Sequence, residues 1–370
     1  MAKPTKRRCP ACRQVKNFRS DNKTCGCSGT NPNLSMKFRG VSAPELDAKV
    51  KKVLVGKKLT LSELADKIGV APKEVAASVK RLEGAGHNVH LAENEVSIHN
   101  SMPQGGKHVV DAKDFTSKGK WYKFGAMGDT HLYSKYCRLD VAECLYDIFE
   151  EEGIDTVYHT GNMIEGEARF NKFDLVGPSG MGRQVEYNAK YYPRRDGITT
   201  KFITGDDHEG WYINREGVNI GRLLESAAED EGRKDLQWIG HVEADVKLTA
   251  PKGEAWMRVM HPGGGSSYAV SYSEQKLVES FQGGEKPRIL LVGHYHKYNQ
   301  GYSREVHTVQ TGCTQDQTTF LRKLKIQAHV GGTIIQFHQA ETGEINRFQV
   351  QWIPFYDQKF YVSKDKYRRW

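Results

Sequence analysis

No apolar run in the 370 residues approaches the roughly eighteen that a membrane-crossing helix needs, which excludes such a span. The first residues are basic and polar and lack the apolar core of a secretory signal, so a reducing cytoplasm is the expected location. In that compartment the seven cysteines are not expected to form structural disulfides. Acidic residues are scarce at one end only. Residues 1–120 hold 23 lysines and arginines against 11 aspartates and glutamates, whereas the remainder holds 31 against 34. The whole of the net +9 therefore lies in the first third, an asymmetry that points to an acidic polymer as partner, nucleic acid first.

What the first third contains is modular. Cys9, Cys12, Cys25 and Cys27 form two close pairs across a short loop, the donor set of a tetrahedral zinc site. So few apolar residues surround them that only a metal would fold residues 1–30. Cys137, Cys144 and Cys313 are scattered and read as ordinary buried or half-buried thiols. Residues 31–44, polar and with Pro32 and Pro44, read as a linker.

From 45 to 100 the pattern turns helical. Leu46, Val50, Val53 and Leu54 mark one apolar face. Thr60, Ser62 and Glu63 open a second helix that Gly69 stops, and Pro72 opens a third carrying Val75, Ala76, Val79 and Leu82. Two alternating runs follow, at 88–91 and 95–98, with Glu93 and Asn94 at the turn. Three short helices and a terminal hairpin resemble a winged helix-turn-helix domain. That resemblance implies that Lys73, Ser78, Lys80 and Arg81 face outward from the third helix toward a DNA groove. Residues 101–120, rich in glycine, lysine and polar side chains, read as a second linker.

Beyond residue 120, one syntax repeats five times: an apolar run, a turn, then side chains of metal-ligand type. Residues 121–127 lead into Gly128, Asp129, Thr130 and His131; 156–159 into Gly161, Asn162, Met163, Ile164, Glu165 and Gly166. Residues 201–204 lead into Gly205, Asp206, Asp207, His208 and Glu209; 257–260 into His261, Pro262 and Gly263; 289–292 into Gly293, His294, Tyr295 and His296. Oxygen and imidazole donors without thiolate suit manganese, iron or zinc rather than a soft metal. Between these runs helices alternate with strands, for example a stripe of Leu139, Ala142, Leu145, Tyr146 and Phe149 that reads as core packing. The loop Gly263, Gly264, Gly265, Ser266 and Ser267 reads either as a phosphate cradle or as a plain turn. Trp211 and Tyr212 read either as base-stacking or as core aromatics.

In order and spacing the five segments resemble the motifs of the calcineurin-like metallophosphoesterases, over about two thirds of the chain. The resemblance implies an α/β four-layer sandwich, two mixed β-sheets flanked by helices, over 121–360, followed by a basic tail at 361–370. It implies two divalent metals, manganese first, in addition to the structural zinc. Asp129, His131 and His296 would hold one, Asp207, His261 and His294 the other, Asn162 would bridge them, and His208 would face the phosphate. Asp207 stands where the family usually has asparagine, and still offers oxygen. Asn162 stands where the family has the bridging aspartate. A neutral amide brings one good acceptor and no charge to two adjacent dications, so Asn162 reads either as a naturally weak activity or, the reading we favour, as an inactivating substitution, and impaired catalysis is expected.

The resulting expectation is a two-metal nuclease that hydrolyses DNA phosphodiester bonds, with DNA positioned by the basic N-terminal modules and His208, Asp129 and Asn162 at the chemistry. A homo-oligomer or a protein partner is also compatible with the modular N-terminus. The alternatives are a phosphomonoesterase or protein phosphatase with protein-binding modules, and a DNA-binding regulator on a degenerate phosphoesterase platform. Residues 161–166 lack the arginine-containing continuation of the Ser/Thr phosphatases, which favours the nuclease side.

Overall fold

In a computed structural model the described residues are 5–8, 15–18, 42–54, 57–84, 87, 89–92, 95–98, 106–111, 113–168, 172–265 and 267–355. Cys9, Cys12, Cys25 and Cys27, most of the first linker and the basic tail lie outside them. Within the first module, β1 (Thr5–Arg8) pairs antiparallel with β2 (Val15–Phe18).

The next unit has its own apolar core. It comprises α1 (Ala43–Leu54), β3 (Lys58–Thr60), α2 (Leu61–Ile68), α3 (Pro72–Gly84), β4 (Val89–Ala92) and β5 (Glu95–Ile98), with strand order β3-β5-β4. Thr60 and Glu63 close a reciprocal capping box at the start of α2, and Gly69 ends it in the left-handed conformation. Leu46, Val50, Leu54, Leu64, Val75 and Val96 fill the space between the helices and the small sheet. One expectation fails here. Ser78 is fully buried, not outward, because its hydroxyl donates to Asp47 on α1 (2.6 Å). Arg81 is drawn to the same carboxylate, through Nε (3.0 Å) and Nη2 (2.7 Å). Lys73 and Lys80 remain exposed on α3.

The second expected linker contains β6 (Gly106–Val110), which corrects its reading as a plain connection. The main body then runs β7 (Lys120–Met127), α4 (Leu139–Glu151), β8 (Thr156–His159), α5 (Met181–Tyr191), β9 (Thr199–Thr204), α6 (Gly210–Glu216), α7 (Ile220–Asp230) and β10 (Leu236–His241). It continues β11 (Glu243–Ala250), β12 (Gly253–Met260), α8 (Tyr272–Ser280), β13 (Ile289–Val292), β14 (Tyr298–Ser303), β15 (Val306–Thr311), α9 (Thr319–Lys323), β16 (Gly331–Gln339) and β17 (Ile345–Pro354). No helix among the described residues is long and apolar enough to cross a membrane.

Two six-stranded mixed sheets result, ordered β10-β9-β8-β7-β16-β17 and β14-β15-β13-β12-β11-β6. β6 is the edge of the second, parallel to β11. Their inner faces pack on each other through Phe124, Tyr158, Ile203, Met257, Leu291 and Phe337. Outside the first sheet, α4, α5 and α7 supply Leu145, Tyr146, Phe149, Val185 and Leu224; the stripe expected on α4 is wholly buried. Each such side chain stabilises the fold by about 1.5–3 kcal/mol. Outside the second sheet, Val278 of α8 packs on Leu290, Val292 and Val306. The layering is helix, sheet, sheet, helix.

The small helical unit meets the body at the end of α6. His87 Nδ1 lies 3.0 Å from the Gly217 carbonyl and pairs backbone with Val218, and Lys51 Nζ donates to the Glu216 carbonyl (3.1 Å). A cation at a helix C-terminus is favourable there.

The Asp47 cluster gives a stability prediction. The Arg81 guanidinium foremost, against partial burial, holds the Asp47 carboxyl below its usual range. A depressed folded-state pKa stabilises above the unfolded value and loses that contribution as pH falls through the folded one. Asp47→Ala should cost about 1–3 kcal/mol at pH 7 by orphaning the buried Ser78 hydroxyl. Urea unfolding of the helical unit should show the deficit, and the deficit should shrink below about pH 4.

Candidate metal centre

Five strand ends converge on one point. β7, β8 and β9 are parallel neighbours in the first sheet, and β12 and β13 in the second. Immediately after their C-terminal ends come Asp129 and His131, Asn162, Asp207 and His208, His261, and His294 and His296. Asp129, His131, Asn162, His294 and His296 all hold left-handed backbone (φ 49°, 49°, 56°, 76° and 52°). Such residues cost on the order of 1–3 kcal/mol each and persist only where the surroundings over-determine them. Here they do: Asp129 N donates to Gly161 O, His131 N to Asn162 O, and His294 N to Asp129 Oδ2, each at 2.9 Å. Gly205 is required by close approach, since a Cβ there would run into Asn162 Oδ1 and the His261 ring.

The side chains form two trios. Asp129, His131 and His296 place one ligand atom each within 4.8 Å of one another, and so do Asp207, His261 and His294. In the first, His131 Nε2 and His296 Nε2 stand 3.2 Å apart and lie 3.8 and 3.4 Å from Asp129 Oδ1. In the second, His261 Nε2 is 3.7 Å from Asp207 Oδ1 and His294 Nδ1 is 3.5 Å from Asp207 Oδ2. Asn162 joins them: its Nδ2 donates to Asp129 Oδ1 (3.4 Å), while its Oδ1 faces the His261 side.

Polar contacts of the rings set which nitrogen each histidine presents. His131 Nδ1 makes a 3.0 Å ion-pair contact with Glu165 Oε2, while His261 Nδ1 donates to the Thr160 carbonyl (2.7 Å) and His294 Nε2 to the Gly264 carbonyl (2.6 Å). Each of these nitrogens bears the proton, since its partner only accepts, and the opposite nitrogen turns its lone pair to the centre. Among the described residues, His261 Nε2 and Asn162 Oδ1 are buried with no hydrogen-bond partner. Buried acceptors are rarely left so; a divalent cation fits the two trios and satisfies these atoms.

The electrostatics agree. Burial opposes charge at Asp129, yet His296 and His131 hold its carboxyl well below the usual range. Burial likewise lowers His131, but Asp129 and Glu165 outweigh it and raise the ring to about 10. His261 rises to about 9 for the same reason, through Asp207. The carboxylates thus draw positive charge onto the imidazoles, and a divalent ion competes with those protons.

Two residues in the motifs had no assigned role from sequence. Glu165 buttresses His131 and also accepts from Gln315 Nε2 (3.0 Å). Glu209 accepts the backbone N–H groups of Gly205 (2.8 Å), Asn162 (2.9 Å) and Ile164 (3.1 Å), clamping the second and third loops together. Burial pushes the Glu209 carboxyl up to about 7 in spite of those bonds. Their positions inside the motifs were the only signal, because, Gly205 apart, their partners lie 34 or more residues away in the sequence.

His208 lines the cleft with Asp207 and His294, its Nδ1 donating to the Glu165 carbonyl (2.9 Å). The cleft encloses about 230 Å³. Tyr212 does not reach it: the ring is buried, its hydroxyl bonded to Gln184 and Glu167. Trp211 is half-buried under the Arg215 guanidinium, 4.8 Å from the ring centre. Cys137, Cys144 and Cys313 are buried free thiols.

No family model and no curated protein matches this sequence. Among solved structures, an archaeal phosphodiesterase is 15% identical with a TM-score of 0.31, covering 62% of this chain and 100% of its own. Vps29 of Entamoeba histolytica in complex with zinc is 11% identical, TM-score 0.30, covering 63% and 99%. A predicted phosphoesterase from Streptococcus pneumoniae is 13% identical, TM-score 0.29, covering 64% and 99%. These are distant likenesses, and the residue assignments above stand on geometry alone.

Glu165 provides the test of the ring-orientation argument. Glu165→Ala should weaken manganese binding about 10–100-fold, the usual loss when a ligand's hydrogen-bond partner is removed. Titration calorimetry on the full chain measures it; an unchanged affinity would show that Glu165 does not set His131.

Proposed function

We propose that this chain is a metal-dependent phosphodiesterase of the calcineurin-like metallophosphoesterase type, that its substrate is DNA, and that Asn162 impairs its turnover. The observation that carries the reading is the pair of like trios, Asp129/His131/His296 and Asp207/His261/His294, with Asn162 between them. Manganese suits these donors, with iron, zinc or magnesium as substitutes. When bound, two divalent ions would supply a nucleophile at neutral pH and offset charge on the transferring phosphoryl group.

The protein's own residues do the rest. Glu165, Thr160 and Gly264 hold the ligand rings in one tautomer each. His208, oriented by its Nδ1–H bond, presents Nε2 to the cleft, where it relays a proton at the leaving oxygen. Asn162 acts against turnover in two ways: it brings no charge, and its amide N–H occupies an Asp129 lone pair. DNA as substrate is supported by the confinement of the positive excess to residues 1–120 and by exposed Lys73 and Lys80 on α3. In this reading the Cys9, Cys12, Cys25 and Cys27 module binds zinc and the helical unit serves as a winged helix, both holding DNA toward the cleft.

Restoring the bridging carboxylate tests the reading. Asn162→Asp should raise metal-dependent hydrolysis of labelled DNA by about two orders of magnitude or more, the scale of one lost transition-state contact. DNA affinity should change little, since the basic residues are untouched. No gain across manganese, zinc, iron and magnesium would replace the enzyme with a DNA-binding regulator on a degenerate platform.

A further inference from the structure

A second groove adjoins the metal-centre cleft. The two share Gly265 and Tyr295 on their walls, so they lie side by side, and the second encloses about 350 Å³ along α8. The loop between them is fixed to the centre, because the Gly264 carbonyl accepts from His294 Nε2. This is the glycine–serine loop whose sequence reads either as a phosphate cradle or as a plain turn.

The groove's chemistry is selective. Tyr272 is 52% exposed, and Tyr268, four residues earlier, is fully exposed. Lys276 lies one turn on from Tyr272, its Nζ over one face of that ring 5.9 Å from the centre, and no ion pair of Lys276 is found among the described residues. None of the groove's lining side chains is acidic. Glu274, the acid of α8's first turn, is buried instead and bonded by Asn299 (3.0 Å) and Thr308 (2.6 Å). The groove where the helical unit meets the body differs: Glu167 and Glu216 line it. An aromatic face beside an unneutralised lysine, with glycine backbone around them, is the surface that holds unpaired nucleotides. A duplex has no free base face to offer it.

We propose that the groove over α8 is a subsite for unpaired nucleotides of the strand whose phosphodiester lies at the metal centre, one base stacking on Tyr272 and a backbone phosphate meeting Lys276. The proposal deepens the phosphodiesterase reading and rests on it for the link to cleavage; the binding surface stands on the groove's own chemistry.

The test uses the full chain carrying Asn162→Asp, with Tyr272→Ala, Tyr272→Phe or Lys276→Ala added. Cleavage and equilibrium binding of a fluorescent single-stranded oligodeoxynucleotide, its RNA counterpart and its duplex are compared. Bis(p-nitrophenyl) phosphate, too short to span both grooves, is the reference substrate. Tyr272→Ala should raise KM and Kd for single strands about tenfold, within the range for one base stack, and Tyr272→Phe should restore them. Lys276→Ala should lower the slope of log Kd against log salt by about 0.7. Equal losses with DNA and RNA assign the contact to base and phosphate, whereas losses confined to duplex overturn the proposal. Unchanged single-strand KM and Kd in the Ala variants, with the reference ester still cleaved, sink the groove and leave the phosphodiesterase standing. If no variant cleaves either substrate, the phosphodiesterase reading fails, and binding alone decides the groove: lost affinity in Tyr272→Ala upholds it, unchanged affinity removes it.

Discussion

The constraint on which the structure depends is the concentration of lone pairs where two sheets meet. His131 Nε2 and His296 Nε2 approach to 3.2 Å beside a fully buried carboxylate, and a second carboxylate–imidazole trio stands across Asn162. Burying such groups is unfavourable without compensating positive charge. Much of the local architecture holds that arrangement in place. The left-handed backbone at Asp129, His131, Asn162, His294 and His296 turns each chain sharply at its strand end, and cross-loop hydrogen bonds lock the turns.

The two sheets make this possible by contributing unequal shares. The first sheet brings Asp129, His131, Asn162, Asp207 and His208, and the second brings His261, His294 and His296. Packing the sheets face to face through Phe124, Met257 and Phe337 thus assembles both trios from halves that neither sheet holds alone. Glu209 then ties two first-sheet loops to each other, and its own helix, α6, ends against Lys51 and His87 of the helical unit. The third motif is therefore linked through α6 to the basic third of the chain.

The residues that meet in the two trios were legible as candidates because each follows an apolar strand run and a glycine or polar turn, a local pattern. So were the α2 caps at Thr60 and Gly69 and the apolar stripe of α4. What was not legible depends on distant partners. The winged-helix resemblance implied that Ser78 faces outward, but Asp47, 31 residues earlier, draws it inside. The strand at 106–110 is polar enough to read as linker and is made a strand by pairing with β11. Tyr212 is a core ring because Gln184 and Glu167 satisfy its hydroxyl. Glu165 and Glu209 acquire their roles only when the loops close.

Anomalous X-ray scattering at the manganese edge, on crystals of the Asn162→Asp chain grown with manganese, tests the two-ion centre most directly. Two peaks are expected, one among Asp129, His131 and His296 and one among Asp207, His261 and His294. A single peak outside those trios, or none at saturating manganese, would contradict it.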